Sequence, residues 1–194
     1  LMEQPENFRL AASELAVEAH MLASFDHPNI MKIRGWAANG VASFVSGRHD
    51  AFFLLLDKLE ETLDQRIECW DNQVKTMTSH PAFNVNPVVG LWRRFSNQIS
   101  PEQTMIANEI QRFQDQLYLE KLGICAQIAD ALAYLHSKGV IFRDLKPNNI
   151  GFLNGRVQLF DFGLSREIPQ LDLSTPFEMS GKVGTLRYMA VEVA

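Results

Sequence analysis

Two short stretches of the chain hold residues whose types and spacing suit one reaction. Residues 142–149 read Phe-Arg-Asp-Leu-Lys-Pro-Asn-Asn, and an Asp-Phe-Gly triplet begins at Asp161. Asp144 can accept or orient a hydroxyl proton, and Lys146 is a compact cation suited to a phosphate. Asn149 and Asp161 offer hard oxygen ligands, of which Mg²⁺ takes few while it keeps water and phosphate oxygens. Phosphoryl transfer from ATP to a hydroxyl requires this combination of groups.

The segment between the two stretches is expected to bring them together. Apolar residues flank Asn154-Gly155, which is a strong signal for a tight turn between two antiparallel strands. Either carboxylate alone would be read most simply as an ordinary loop residue. The four groups at this spacing favour a functional site instead.

The two stretches resemble the catalytic loop and the magnesium loop of eukaryotic protein kinases. The resemblance implies an α+β, protein-kinase-like bilobal fold that is present in part, with ATP and Mg²⁺ as cofactors. Lys146 and Thr185 are the choices typical of Ser/Thr kinases, so a protein substrate with a Ser or Thr acceptor is expected. Phe142 stands where His is usual in the family, and it is expected to pack against Phe162.

The first part of the chain resembles the end of a kinase small lobe. Apolar spacing predicts a helix over Ser13–Phe25, with Ser13 as its N-cap and His27-Pro28-Asn29 after it. By resemblance this is the regulatory helix, in which Glu18 has a functional role rather than that of a solvated carboxylate. Strands are predicted over Ile30–Trp36 and Ala51–Leu56, the second buried on both sides.

The resemblance also places a nucleotide pocket. Leu56 would gate its back, and Asp57 and Leu59 lie in the segment where kinases connect their lobes and offer backbone hydrogen bonds to adenine. Gly151 departs from the family, because kinases usually place an apolar side chain there, beneath the adenine.

Helices dominate the predictions for the middle of the chain. A short helix is predicted over Glu61–Trp70 and a long one over Phe113–Ser137, ended by Gly139. Between them, residues 71–112 are interpreted as an insertion. The cluster 91–95 within it is interpreted first as part of a mobile or locally packed excursion, and alternatively as a docking surface for a regulatory partner. The broad apolar face expected for the long helix comprises Leu119, Leu122, Ala126, Ala129 and Ala133, with the neighbouring Ile128, Leu132 and Leu135.

The last segment, Gly184–Glu192, resembles the part of a kinase that grips a peptide substrate. Val191 stands where the family has Pro. The activation loop before it holds three candidate modification sites, Ser174, Thr175 and Ser180. Of these, phosphorylation at Ser180 is expected to order the loop by pairing with Arg143. Mass spectrometry that finds no loop phosphate on the active protein would contradict this expectation.

The expected organisation is a partial small lobe over residues 1–56 and a partial large lobe over residues 57–194. A glycine-rich loop, a strand lysine before Glu18 and the helices that usually follow Glu192 are not found in the sequence. We therefore expect an internal piece of a kinase domain that is inactive by itself.

Composition excludes several other classes of protein. The net charge of −5 and the lack of a basic stripe argue against nucleic-acid binding. The longest apolar run is too short to span a bilayer. Cys69 and Cys125 lack metal-ligand spacing and fit a reducing compartment, so a cytoplasmic or nuclear location is expected.

Two alternative functions remain open from the sequence. A pseudokinase or scaffold would use the fold for binding alone; the intact catalytic residues argue against it, whereas Gly151 and Val191 leave room for it. A small-molecule kinase of related fold is disfavoured by the peptide-gripping segment.

Overall fold

The structure of the protein, a computed structural model, describes residues 5–37, 53–78, 101–168, 179, 181 and 183–191. The chain divides into two compact units. The first unit combines Leu1–Asp64 with Gln127–Ala194, and the second unit is Gln65–Ala126.

The described residues form three helices and seven short strands. The helices are α1 (Pro5–Ser24), α2 (Leu63–Thr78) and α3 (Pro101–Ser137). The strands are β1 (Ile33–Trp36), β2 (Leu54–Leu56), β3 (Glu61–Thr62), β4 (Val140–Ile141), β5 (Ile150–Leu153), β6 (Arg156–Leu159) and β7 (Arg166–Glu167). Single 3₁₀ turns occur at Pro147–Asn149 and Leu186–Tyr188.

The strands form three small antiparallel sheets with the orders β1-β2, β3-β5-β6 and β4-β7. The hairpin of β5 and β6 confirms the sequence prediction. Its turn lies at Asn154 and Gly155, whose φ values of 51° and 72° are both positive. Asn and Gly tolerate this left-handed backbone better than other residues, so the local sequence fixes the hairpin.

Helix α1 ends where the sequence predicted but begins earlier. It runs from Pro5 to Ser24, so the prediction of Ser13 as N-cap is wrong, and Ser13 lies within the helix. The stretch before Ser13 is rich in Ala and Leu, which have high helix propensity, and this explains the longer helix. The helix stops before Pro28, because a residue that precedes proline is disfavoured in helical conformation.

The two strands of the first sheet are shorter than predicted. Ile30 makes only an isolated bridge to Leu159, and β1 starts at Ile33. Phe53 and Leu55 are 56% and 57% exposed, so the prediction of a second strand buried on both sides is wrong for its described part. In a two-stranded sheet alternate residues point to opposite faces, and here Leu55 lies on the exposed one.

Helices α2 and α3 both extend into the predicted insertion. Helix α2 begins at Leu63, after the short strand β3, and continues to Thr78 instead of ending at Trp70. Helix α3 begins at Pro101 rather than Phe113. Both ends of the 71–112 interval are therefore helical, whereas the cluster 91–95 lies outside the described residues. The predicted end of α3 is confirmed, with Gly139 at a φ of 71°.

Most of the apolar face predicted for α3 is exposed in the described structure. Leu119 and Leu122 are 66% and 47% exposed, and the three predicted alanines are exposed as well. A helix with apolar residues on several sides does not reveal from its sequence which side is covered. The buried apolar positions, which follow a spacing of seven and then four residues, are Leu117, Ile124, Ala131 and Leu135.

A network of hydrogen bonds joins the turn after α1 to the β5–β6 hairpin and to α3. The Asn29 amide donates to Gln127 Oε1 (2.9 Å) and to the Val157 carbonyl (3.0 Å). Gln127 Oε1 also accepts from the Val157 N–H at 3.0 Å. The Gln158 amide donates to the Pro28 carbonyl at 2.8 Å. Because these groups lie away from water, each bond that is lost leaves a polar group unsatisfied.

Replacing Gln127 with Ala should lower the free energy of unfolding of the whole protein by about 1–3 kcal/mol, because the Val157 N–H would lose its acceptor. Denaturant unfolding measures the loss, and hydrogen exchange of the Val157 amide should accelerate. Gln114 is an exposed glutamine on the same helix and provides the control. Equal stabilities for Gln127→Ala and Gln114→Ala would show that the hydrogen bonds of Gln127 do not stabilise the protein.

Candidate active site

The catalytic-loop residues lie between strands β4 and β5, and the loop closes in the 3₁₀ turn Pro147–Asn149. Asp144 is 5% exposed and Asn149 is 3% exposed. The Asn149 amide donates to the Asp144 backbone carbonyl at 3.0 Å and to Asp144 Oδ2 at 3.1 Å. These two bonds fix the Asp144 carboxylate relative to the end of the loop, so that its position does not depend on a ligand.

Two further residues hold the Asp144 carboxylate. Lys146 Nζ lies 2.6 Å from Oδ2, and Thr185 Oγ1 donates to Oδ1 at 2.7 Å. Lys146 Nζ also donates to Thr185 Oγ1 at 3.3 Å. Asp144, Lys146 and Thr185 therefore form a closed triangle of hydrogen bonds. The structure brings together residues that are 41 positions apart in the sequence.

The environment of Asp144 keeps it ionised. Burial acts to raise the pKa of Asp144, but the hydrogen bonds from Lys146, Thr185 and Asn149 and the charge of Lys146 outweigh it, and the pKa is lowered. A lowered pKa means that this carboxylate stabilises the folded site above its ordinary pKa. That contribution is lost only as the pH falls through the lowered value. At neutral pH Asp144 is an anion able to accept a proton.

Thr185 reaches Asp144 because the chain at Gly184 approaches the catalytic loop closely. The φ of Gly184 is 118°, a conformation that side chains disfavour. A Cβ added to Gly184 would lie 2.6 Å from the backbone oxygen of Arg143. No rotamer change relieves a contact with backbone, so only glycine fits here. This contact is not predicted from the sequence, although a glycine directly before Thr185 is consistent with a close approach of the backbone.

Asp161 follows strand β6 and is held close to the catalytic loop by the backbone. The Phe160 N–H donates to the Asn149 carbonyl at 3.2 Å. Asp161 itself has a φ of 66°, which turns the chain sharply, and its side chain is exposed. The next residue, Phe162, is fully buried, and its ring lies 5.0 Å from that of Phe142. The predicted packing of Phe142 against Phe162 is thereby confirmed.

Glu18 of α1 lies beside this turn. Burial is the main reason that the pKa of Glu18 is raised, and the negative charge of Asp161 adds to it. The backbone N–H groups of Phe162 and Asp161 donate to Glu18 and partly offset the increase. The Glu18 carboxyl therefore lies next to the backbone of Asp161 and Phe162.

A cleft of about 380 Å³ lies beside the catalytic loop and the Asp161 turn. Its lining includes Glu14, Glu18, Asp144, Lys146 and Asp161. Four carboxylates and a single lysine line it, so acidic side chains outnumber basic ones there. The Asn149 amide nitrogen is used in bonds to Asp144, which leaves its oxygen for a metal. Within the described residues, the Asp161 carboxylate accepts no hydrogen bond.

This donor set fits Mg²⁺, which is bound through one or two carboxylates together with water and phosphate oxygens. No group of three or more His, Cys, Asp or Glu side chains in the described part of the chain could hold a metal by itself. A metal held jointly by the protein and a phosphate therefore suits the site better than a closed protein cage.

The residues predicted for the nucleotide pocket lie between β2 and β3. Leu56 ends β2, and Asp57 and Leu59 follow it outside regular secondary structure. Arg34 of β1 holds Asp57 in a two-pronged ion pair, with Nη2 to Oδ2 at 2.7 Å and Nε to Oδ1 at 3.1 Å. The hydrogen bond from Arg34 is the main reason that the pKa of Asp57 is lowered.

The predicted regulatory pair is only partly described. Ser180 lies outside the described residues, as does Glu192. Arg143 has a φ of 68°, and burial followed by the nearby positive charge of Arg166 lowers its pKa. Arg143 and Arg166 are thus close enough to repel each other. The proposed pairing of a Ser180 phosphate with Arg143 stays a prediction.

Comparison with known proteins identifies the family of the chain. A family model described as the protein kinase domain matches residues 97–194, which is about half of the chain and includes the catalytic loop, the magnesium loop and Thr185. The chain belongs to the protein kinase domain family. The resemblance found in the sequence and the partial α+β fold implied by it are thereby confirmed.

Several curated kinases are similar to this kinase-domain chain. The serine/threonine-protein kinase PAK mbt of Drosophila melanogaster is 30% identical, over 92% of this chain and 29% of that protein. The serine/threonine-protein kinase PAK 5 of Rattus norvegicus is 29% identical, over 85% of this chain and 23% of that protein. The serine/threonine-protein kinase RUNKEL of Arabidopsis thaliana is 47% identical, over 37% of this chain and 5% of that protein.

The chain spans less than a third of the length of these curated relatives. The activity of the whole protein is therefore a proposal. None of the described helices is both long enough and apolar enough to cross a membrane.

Proposed function

We propose that the whole protein transfers the γ-phosphoryl group of Mg²⁺-ATP to serine and threonine hydroxyls of protein substrates. The observation that carries this proposal is the hydrogen-bonded triangle of Asp144, Lys146 and Thr185 beside the acidic cleft. Asp144 is an ionised base and Lys146 is a cation that it holds in place. Beside them, the Asp161 carboxylate accepts no hydrogen bond from the described residues. Membership of the protein kinase domain family supports the same reaction.

Asp144 has the properties needed to receive the acceptor. Its carboxylate is ionised and held from three directions, so it can orient a serine or threonine hydroxyl without moving. As the hydroxyl oxygen bonds to the γ-phosphorus, the bond from that phosphorus to the bridging oxygen of ADP breaks. The hydroxyl proton passes to Asp144, and ADP leaves.

Lys146, together with Mg²⁺ when it is bound, would balance the charge on the transferred group. Lys146 Nζ bonds Asp144 and Thr185, so it stands beside the point where the acceptor hydroxyl would lie. Asn149 and Asp161 would hold Mg²⁺, which supplies charge neutralisation for the phosphate oxygens. Electrostatic stabilisation of this kind is the main contribution a protein can make to phosphoryl transfer.

The choice of acceptor can be tested directly. We expect the whole protein, with Mg²⁺-ATP, to label a degenerate peptide library that contains serine and threonine, and not the matched library with tyrosine. Thr185 supports this expectation, because its hydroxyl is engaged by both Asp144 and Lys146 beside the acceptor position. Labelling of tyrosine alone would contradict the Ser/Thr assignment. Asp115, an exposed aspartate of α3, allows Asp115→Asn as a control variant that should label normally.

Two residues leave room for the pseudokinase alternative: Gly151 in the nucleotide pocket predicted from the resemblance, and Val191 where the family has Pro. The intact site at Asp144, Lys146, Asn149 and Asp161 favours the enzyme. Binding of Mg²⁺-ATP without any transfer to an acceptor would support the pseudokinase.

A further inference from the structure

The segment between β2 and β3 packs against Gly151. A Cβ added to Gly151 would lie 2.5 Å from Cδ1 of Leu59, 3.0 Å from its Cδ2 and 3.1 Å from its Cγ. Carbon atoms that are not bonded pack at about 3.5–4.0 Å. The end of the Leu59 side chain therefore fills the volume that a side chain at position 151 would need. Neither residue alone explains this arrangement, since Leu59 fits only because position 151 is glycine.

The backbone of the same segment makes few hydrogen bonds to the part of the chain that the structure describes. Within the described residues, Lys58 and Leu59 make no backbone hydrogen bond, whereas Glu60 donates to the Phe152 carbonyl at 2.9 Å. Backbone N–H and C=O groups need partners, and the edge of a heterocyclic base offers both a donor and an acceptor. The ion pair of Arg34 with Asp57 anchors the segment just before these backbone groups.

The position of Gly151 along β5 relates this segment to the phosphate site. Gly151 follows Asn149 by two residues, and a strand advances by about 3.3 Å per residue. A nucleotide whose phosphates lie at Asn149 and Asp161 would extend its base toward Gly151. The side chain that the base meets there is that of Leu59, which is half-buried and apolar.

We propose that Leu59 supplies the apolar surface on which the nucleotide base rests, in place of a side chain at position 151. This inference rests on the proposed function and adds to it a residue that determines base affinity. It also accounts for Gly151, because the glycine makes room for a side chain supplied by a different segment. The contact to the base therefore comes from the linking segment and not from strand β5.

The test compares two ligands by titration calorimetry on the whole protein, Mg²⁺-ATP and Mg²⁺-tripolyphosphate. Leu59→Ala should weaken ATP binding about ten-fold, the value expected for the loss of a half-buried leucine contact. Tripolyphosphate has no base, so its affinity should not change. Adding Gly151→Leu to Leu59→Ala should restore much of the ATP affinity, because the new side chain enters the space that was vacated. Leu119→Ala removes an exposed leucine of α3, away from the proposed nucleotide site, and should bind both ligands normally.

Two results would overturn the inference. One is unchanged ATP affinity of Leu59→Ala in a protein whose wild type binds ATP, which leaves the proposed function intact. The other is an equal loss for ATP and tripolyphosphate, which would indicate a general disturbance of the site. Failure of the wild type to bind Mg²⁺-ATP would contradict the proposed function itself and the inference with it.

Discussion

Replacing Asp144 with Asn should slow phosphoryl transfer by the whole protein about 10²–10⁴-fold, the range typical of a lost general base. The amide preserves the size of the side chain but cannot act as the anion that accepts the hydroxyl proton. It also removes the negative charge that lies 2.6 Å from Lys146. The turnover number should fall, whereas the affinity for Mg²⁺-ATP should change little, because Asn149 and Asp161 remain. Steady-state kinetics with varied ATP separate the two effects.

The control for this variant is an aspartate of similar chemistry in a different environment. Asp130 is 69% exposed and contacts only the His27 ring nitrogen at 3.3 Å among the interactions described for it. Asp130→Asn should therefore keep its rate. A rate for Asp144→Asn equal to that of Asp130→Asn would remove Asp144 from the mechanism.

Replacing Gly184 with Ala should reduce the rate about 100-fold, the effect expected when a catalytic group is displaced by about 1 Å. The added Cβ would lie 2.6 Å from the Arg143 backbone oxygen, and a φ of 118° is unfavourable for alanine. The segment must then move away from the catalytic loop. Thr185 moves with it, so its 2.7 Å hydrogen bond to Asp144 is lost. Kinetics should be accompanied by thermal unfolding, which should show that the variant is folded.

Gly181 provides a matched control in the same segment. A Cβ added there meets nothing within 4 Å among the described atoms, so Gly181→Ala should act like the wild type. Thr185→Ala should resemble Gly184→Ala if the displaced hydroxyl is the cause of the loss. If the two glycine variants had equal, normal rates, the close approach of Gly184 to Arg143 would have no part in catalysis.

The parts of the structure that follow from local sequence were predicted well. The β5–β6 hairpin was predicted because Asn154 and Gly155 both favour positive φ. The end of α3 was predicted because Gly139 favours the left-handed cap conformation. The contact of Phe142 with Phe162 was expected from the resemblance, and it is present.

The errors arose where tertiary packing decides the outcome. The exposed Leu119 and Leu122 of α3 are as apolar as the buried Leu117, so composition could not tell which side is covered. The strand at Leu55 was expected to be buried because an apolar run is equally consistent with one covered face or two.

In the candidate site, too, local sequence predicts some features and tertiary packing decides the others. The types and spacing of Asp144, Lys146, Asn149 and Asp161 were visible in the sequence. Their supports were not visible, because Gly184 against Arg143 and Leu59 against Gly151 are contacts between distant segments. A single sequence shows which residues could act, and long-range contacts decide how they are held.

The most direct measurement is transfer of the labelled γ-phosphoryl group of ATP to a protein acceptor by the whole protein, with Mg²⁺ present or chelated. The expected result is label on serine or threonine that disappears when Mg²⁺ is chelated and in the Asp161→Asn variant. Transfer that persists equally in both conditions, or no transfer by a folded protein that binds Mg²⁺-ATP, would contradict the account.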